Sequence, residues 1–141
     1  MTELAALLEA TSLAQALKAS RWLYPLINAG HILGIALLVG AVIPMDVAAL
    51  RGRDMTAGLH PWAIAGLLLA AACGLLLFIT QAGDYVVNGW FRAKMALLAL
   101  AVANALWHLN ATGSALQRAA LPSLILWPAI LVLGRMIGYS G

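Results

Sequence analysis

Trp22-Leu-Tyr24-Pro-Leu-Ile-Asn28-Ala-Gly-His31-Ile-Leu-Gly34-Ile-Ala-Leu-Leu-Val-Gly40-Ala-Val-Ile-Pro44-Met-Asp46-Val-Ala-Ala-Leu50 decides how the rest of this chain is read. A run of about 20 apolar residues is long enough to cross a bilayer as a helix. This one exceeds that length and still carries an amide, an imidazole and a carboxylate. A titratable side chain at such depth needs a partner and marks a functional site by default. His31, in Asn28-Ala-Gly-His31-Ile-Leu-Gly34, is therefore the residue around which a function is sought.

Outward from that stretch, apolar runs recur at residues 61–80, 91–109 and 119–138, giving four spans with the first at 22–50. The links are short and polar, namely Arg51-Gly-Arg53-Asp54, Gln81-Ala-Gly-Asp84 and Asn110-Ala-Thr-Gly-Ser114. Short links make sequential helices antiparallel neighbours. The sequence thus predicts an all-α fold: an integral membrane four-helix up-down bundle over residues 21–141. Before it, residues 1–20 set Leu4, Leu7, Leu8, Leu13 and Leu17 between Glu3, Glu9, Gln15 and Lys18, which predicts an N-terminal amphipathic interfacial segment of one or two short helices. Ser20 is placed to cap the first span.

Composition agrees. Of 141 residues, 64% are hydrophobic and 9% charged, against about 25% charged in soluble domains. The net charge of +3 comes with no basic run, which argues against nucleic-acid binding. One cysteine, Cys73 among small residues, excludes an internal disulfide and a multi-cysteine zinc site, and reads as a packing residue. The start of the chain lacks a basic, signal-like n-region. Counting Lys18, Arg21, Arg92, Lys94 and Arg135 against Arg51, Arg53 and Arg118 favours both termini in the cytoplasm, and the count is a tie if Lys94 and Arg135 serve an internal site. Small residues suit helix contact in lipid: Gly66, Ala70 and Gly74 on the second span, Gly30/Gly34 and Ala36/Gly40 on the first. Pro44 and Pro128 each free a backbone carbonyl.

The polar residues form stripes. At about 100° per residue, Tyr24, Asn28, His31 and Asp46 lie within about 60° on the first span, and Lys94, Asn104 and His108 within about 80° on the third. Depth separates two layers. His31 lies about 13 Å from the N-terminal membrane face, Lys94 about 5 Å and Arg135 about 6 Å. An imidazole with two cations nearer the surface suits a haem, with iron on a ring nitrogen and the propionates reaching Lys94 and Arg135. Asn28 is a candidate for orienting the ring. A hydrogen-bonded structural histidine, a proton relay, and cations that simply snorkel to headgroups stand as alternatives. The opposite layer holds Asp46, His60 and His108, an O/N set open to copper or zinc, with His60 placed in the link before Pro61. His108 is about 21 Å from Lys94 along its helix, too far to be a second axial ligand. A haem on His31 would be five-coordinate, share a ligand across a homo-oligomer, or use another residue.

Tyr24-Pro25, Asn28-Ala-Gly-His31-Ile-Leu-Gly34, Gly40 and Asp46, with Lys94, Asn104 and Gly134-Arg135, resemble an uncharacterised family of short four-span bacterial membrane proteins over about residues 24–139. More distantly, Gly89-Trp-Phe-Arg-Ala-Lys94-Met95 with Leu97, Leu98 and Leu100 is similar to the third helix of J-type protoporphyrinogen oxidases. The membrane domain of copper-resistance D proteins is similar in outline. The oxidase resemblance implies haem b and assigns the essential pair, a first-helix histidine and a third-helix lysine, to His31 and Lys94. Where those oxidases carry Asn-Glu before a fourth-helix proline, this chain has Ala119-Ala120 ahead of Leu121-Pro122, a departure that bears on oxidase chemistry more than on the cofactor. The expectation is a small membrane haem b protein in electron transfer, with a quinone or a redox partner subunit. A copper or proton permeation component and a non-catalytic scaffold are the other classes.

Overall fold

Asp54, Asn88 and Thr11 set the helix boundaries in this computed structural model, which describes residues 2–139. Seven helices follow in order: α1 Thr2–Glu9, α2 Ser12–Ala19, α3 Leu23–Leu50, α4 Thr56–Thr80, α5 Ala82–Val87, α6 Gly89–Trp107 and α7 Gly113–Ile137. No strand occurs among the described residues. Four helices, α3, α4, α6 and α7, are long and apolar enough to cross a membrane, at 28, 25, 19 and 25 residues. Their length and composition suggest a multi-pass membrane protein.

The N-terminal segment is two helices. Thr11 ends one and starts the other, its hydroxyl accepting from Ala14 N–H at 3.3 Å, the usual way to satisfy an orphan donor at a helix start. Ser20 lies two residues before Trp22, the N-cap of the first long helix, and its hydroxyl accepts from the Leu23 N–H at 3.2 Å. Asp54 shifts the second. Its Oδ1 accepts from the Thr56 N–H at 2.9 Å and the Thr56 hydroxyl at 2.6 Å. So α4 starts at Thr56, not at residue 61, and His60 lies inside the helix rather than in a flexible link. Pro61 costs that helix only the donor to the Ala57 carbonyl, close to its end. Asn88 caps α6 from the Trp90 and Phe91 N–H groups, starting it at Gly89 instead of 91. The fourth span likewise starts early, at Gly113 rather than 119, and the link before α6 holds the short helix α5, which polarity alone did not suggest.

α3 is the central helix. It packs along α4 on one side and α7 on the other, and α7 packs in turn on α6. α4 and α6 nowhere bring their backbones within 8 Å. Side chains bridge that seam: Phe78 of α4 stacks on Phe91 of α6 at 5.5 Å between ring centroids, with Tyr85 of α5 on both. Toward the middle, Leu38, Ala41 and Val42 of α3 meet Ala63 of α4, Ala101 of α6, and Trp127 and Ile130 of α7 in one core.

The closest approach is between α3 and α4. A Cβ added to Gly34 would lie 2.8 Å from the Gly66 carbonyl oxygen and collide with the Ala70 backbone, and one added to Gly66 would lie 2.7 Å from the Gly34 carbonyl oxygen. Gly30 meets the Cys73 sulfur in the same way, at 2.9 Å, so Cys73 is indeed a packing residue. The pairs 30/73 and 34/66–70 run in opposite directions, so these two helices are antiparallel. Between helices in lipid, close packing replaces a hydrophobic drive. The expected Ala36/Gly40 face takes no part: nothing lies within 4 Å of a Cβ at Gly40. Gly34→Ala or Gly66→Ala should therefore destabilise the fold by about 1–3 kcal/mol through overpacking, while Gly40→Ala should be neutral or slightly stabilising, as detergent unfolding of the three variants will show.

α1 and α2 fold back on α4 and α5. Ala5, Ala14 and Leu17 are buried there, while Leu4, Leu7 and Leu13 stay exposed. The tether is Glu9, whose carboxylate accepts from the Gly83 N–H at 2.8 Å and the Lys18 ammonium at 2.9 Å. The Gly83 N–H, with Lys18 adding to it, holds the Glu9 carboxyl below its ordinary value. A lowered native pKa gives stability that is present above the ordinary glutamate range and lost as pH falls through the native value. Acidification should thus raise amide exchange in α1 and α2 before the long helices respond, and Glu9→Gln should remove that pH dependence.

Candidate functional site at His31

His31 projects from α3 onto α4. Its Nδ1 lies 2.7 Å from the Ala70 carbonyl oxygen. A carbonyl only accepts, so Nδ1 carries the hydrogen, and the neutral ring keeps the Nε2 lone pair for another partner. The ring fits because position 74 is glycine: a Cβ there would lie 3.0 Å from Cε1 and 3.3 Å from Nδ1. Gly74, which the sequence offered as a helix-packing residue, is a seat for the imidazole. The sequence proposed Asn28 as the orienting partner. In the structure Asn28 is exposed, and the Ala70 carbonyl holds the ring.

Lys94 reaches inward from α6 and lies over Gly134 of α7, with Nζ 3.3 Å from where a Cβ would sit. It is partly buried, near enough for its charge to act on the His31 ring, and no acid pairs with it among the described residues. His31 and Lys94 are thus brought into one interior. Arg135, the next residue on α7, is exposed and turned outward. It donates to the Tyr139 hydroxyl at 3.1 Å and stacks 4.9 Å above that ring. Adjacent helix residues point about 100° apart, so the helix face that gives Gly134 to Lys94 directs Arg135 elsewhere.

An open cavity of about 1000 Å³ lies at the same end of the bundle. Tyr24, Asp84, Tyr85, Asn88, Trp90 and Ala93 are among its walls. Burial, with Tyr24 and Asp84 nearby, pushes the Tyr85 phenol up, so it stays a neutral donor. Tyr24 is seven residues before His31 on α3, which puts the cavity about 10 Å along the helix from the imidazole.

The other layer does not assemble. Asp46 is buried and turned to Ser123 of α7. His60 belongs to the first turns of α4. His108 Nδ1 donates to the Asn104 carbonyl of its own helix at 3.0 Å, and the Asn104 amide donates to the Ala119 carbonyl of α7 at 3.1 Å. Among the described residues no three His, Cys, Asp or Glu side chains are grouped to hold a metal ion. The stripe on α3 divides because that helix has neighbours on two sides. His31 serves α4, Asp46 serves α7, and Asn28 serves neither.

Comparison with protein families, with characterised proteins and with solved structures finds no match for this chain. The site is therefore read from its own chemistry. Selective ¹⁵N labelling of histidine should show His31 as the Nδ1–H tautomer. Gly74→Ala should abolish that signature and cost about 1–3 kcal/mol, since the ring must leave its seat.

Proposed function

We propose that this is a small bacterial inner-membrane protein, its four long helices threading the bilayer up and down with both termini cytoplasmic, that binds haem b at His31 and passes electrons. The observation that carries the reading is the hydrogen bond from His31 Nδ1 to the Ala70 carbonyl. A second partner of this kind commonly fixes the tautomer of a ligating histidine and raises its basicity. Here it leaves Nε2 for another partner, with Lys94, a cation with no acid of its own among the described residues, within electrostatic reach of the ring.

The residues fit one axial ligand and one anionic anchor. His31 would hold iron through Nε2, and Lys94 would meet a propionate as a charge-assisted partner. Arg135 is engaged with Tyr139, so the proposal keeps Lys94 alone in that role. Bound haem supplies the one-electron chemistry. The chain would contribute a nitrogen ligand fixed in one tautomer and a compensating positive charge. The cavity walled by Tyr24, Tyr85 and Trp90 suits a quinone headgroup or a segment of a redox partner subunit at the same end. The resemblance of Gly89–Met95 to the third helix of J-type protoporphyrinogen oxidases supports this reading.

The test is the absorption spectrum of protein purified after expression with added haem precursor. A Soret band is expected that His31→Ala abolishes, Lys94→Ala weakens several-fold in haem affinity, and His108→Ala leaves unchanged. A folded protein without the band would overturn the proposal and leave His31 as a clasp between α3 and α4.

A further inference from the structure

Asp46 has no place in the His31 site, and it is the least easily explained side chain in the protein. It is 5% exposed, flanked on its own face of α3 by Val42 and Ala49, both buried. Its Oδ2 is, among the described residues, the one buried side-chain polar atom with no hydrogen-bond partner. The Ser123 hydroxyl of α7 donates toward the carboxyl. No charge acts on it from either packed neighbour: His60 of α4 and Arg118 of α7 occupy the same end but leave it unpaired. An ionised carboxylate buried in this way, without a cation, costs far more than the protein's other polar burials. A neutral carboxylic acid removes that cost, because the oxygen without a donor becomes the one that carries the hydrogen.

Two prolines mark the same level. Pro44 lies two residues before Asp46, and Pro122 one residue before Ser123. Having no N–H, they free the carbonyls of Gly40 and Arg118. Freed carbonyls at membrane depth persist where protein or water can satisfy them. A Cβ on Gly52 would lie 4.0 Å from the Gln117 side-chain nitrogen, so the first turns of α7 lie beside the α3–α4 link. Asp46 itself is about 6 Å from the end of α3. The link face is therefore the nearer end of the bundle from which a proton can reach the carboxyl.

We infer that Asp46 is a proton-binding site: a carboxylic acid in the bundle interior that exchanges its proton with water from the α3–α4 link face, with Ser123 holding its other oxygen. The ligand is a proton rather than a metal ion, since one carboxyl and one hydroxyl are too few donors and no third acidic, histidine or cysteine ligand joins them. The step is a proton transfer alone. The O–H bond at Oδ2 breaks, water takes the proton, and the carboxylate retains the Ser123 hydrogen bond until it is reprotonated. The inference stands independently of haem at His31.

Infrared difference spectroscopy of the full chain in lipid nanodiscs tests it. The chain has three aspartates, of which Asp54 and Asp84 are exposed and Asp46 is buried, so ¹³C at the aspartate carboxyl assigns a protonated band to an aspartate and burial leaves Asp46 as its source. Near neutral pH a protonated-carboxyl C=O band is expected that shifts with ¹³C, falls in frequency on transfer to D₂O buffer, rises in Ser123→Ala, and is lost in Asp46→Asn. The ¹³C and Ser123→Ala measurements keep the test valid if Asp46→Asn does not fold. Absence of a ¹³C-sensitive protonated band would overturn the inference. So would a band that ignores D₂O, which would make Asp46 a sealed structural group.

Discussion

The backbone contact between α3 and α4 at Gly34, Gly66 and Ala70 is the constraint on which the rest of the structure depends. It brings the Ala70 carbonyl within reach of an imidazole one turn earlier on the facing helix, and it brings Gly74 under the ring. With a larger residue at either glycine the helices separate, and the Nδ1 hydrogen loses its acceptor. In lipid, the same small residues that allow close packing are the ones that expose backbone carbonyls to side chains on a neighbouring helix. Packing and chemistry at His31 are therefore one interaction seen from two sides.

The arrangement of the other helices follows from the position of α3. Flanked by α4 and α7, it must present two different polar solutions on one helix. His31 is held by a backbone acceptor, whereas Asp46 faces a hydroxyl and, on the inference above, keeps its own proton. The remaining seam, between α4 and α6, is closed by large side chains rather than by backbone contact. Phe78, Tyr85 and Phe91 form its cover at one end, beside the cavity lined by Tyr24, Tyr85 and Trp90. A seam filled with side chains opens by rotamer changes, whereas one formed by glycines opens only by moving whole helices. The protein therefore has a rigid half and an adjustable half, and the His31 ring sits on the rigid one.

Much of this was legible in the sequence. The four long helices follow from length and hydropathy, and the N-terminal pair from alternating leucines and charges. The small-residue faces at Gly30/Gly34 and at Gly66, Ala70 and Gly74 followed from four-residue spacing, but not which of them meet. What escaped had local or tertiary causes. The starts of α4 and α7 lie in polar sequence, where Asp54 capping and a left-handed Gly113 (φ +53°) outweigh the apolar pattern. Asn28 and His31 share a stripe in projection, yet a stripe about 60° wide on a helix with two neighbours serves different partners at its two edges. The partner of His31 is a main-chain carbonyl, which no residue type announces. Gly74 was the available signal: a glycine facing a bulky polar residue. Arg135 shows the converse, a cation at the expected depth but one position around the helix from the inward face.

The tether at Glu9 also orders events in time. Its acceptor oxygens and the Gly83 amide are 74 residues apart in the chain. At about 5–20 residues per second during synthesis, Glu9 exists for roughly 4–15 s before its partner does. Over that interval Lys18, only nine residues away, is the counter-charge available to it, and the two can pair as soon as α2 has formed. The lysine thus serves a nascent segment as well as a finished one: it keeps an acidic group paired until the turn after α4 arrives to receive it.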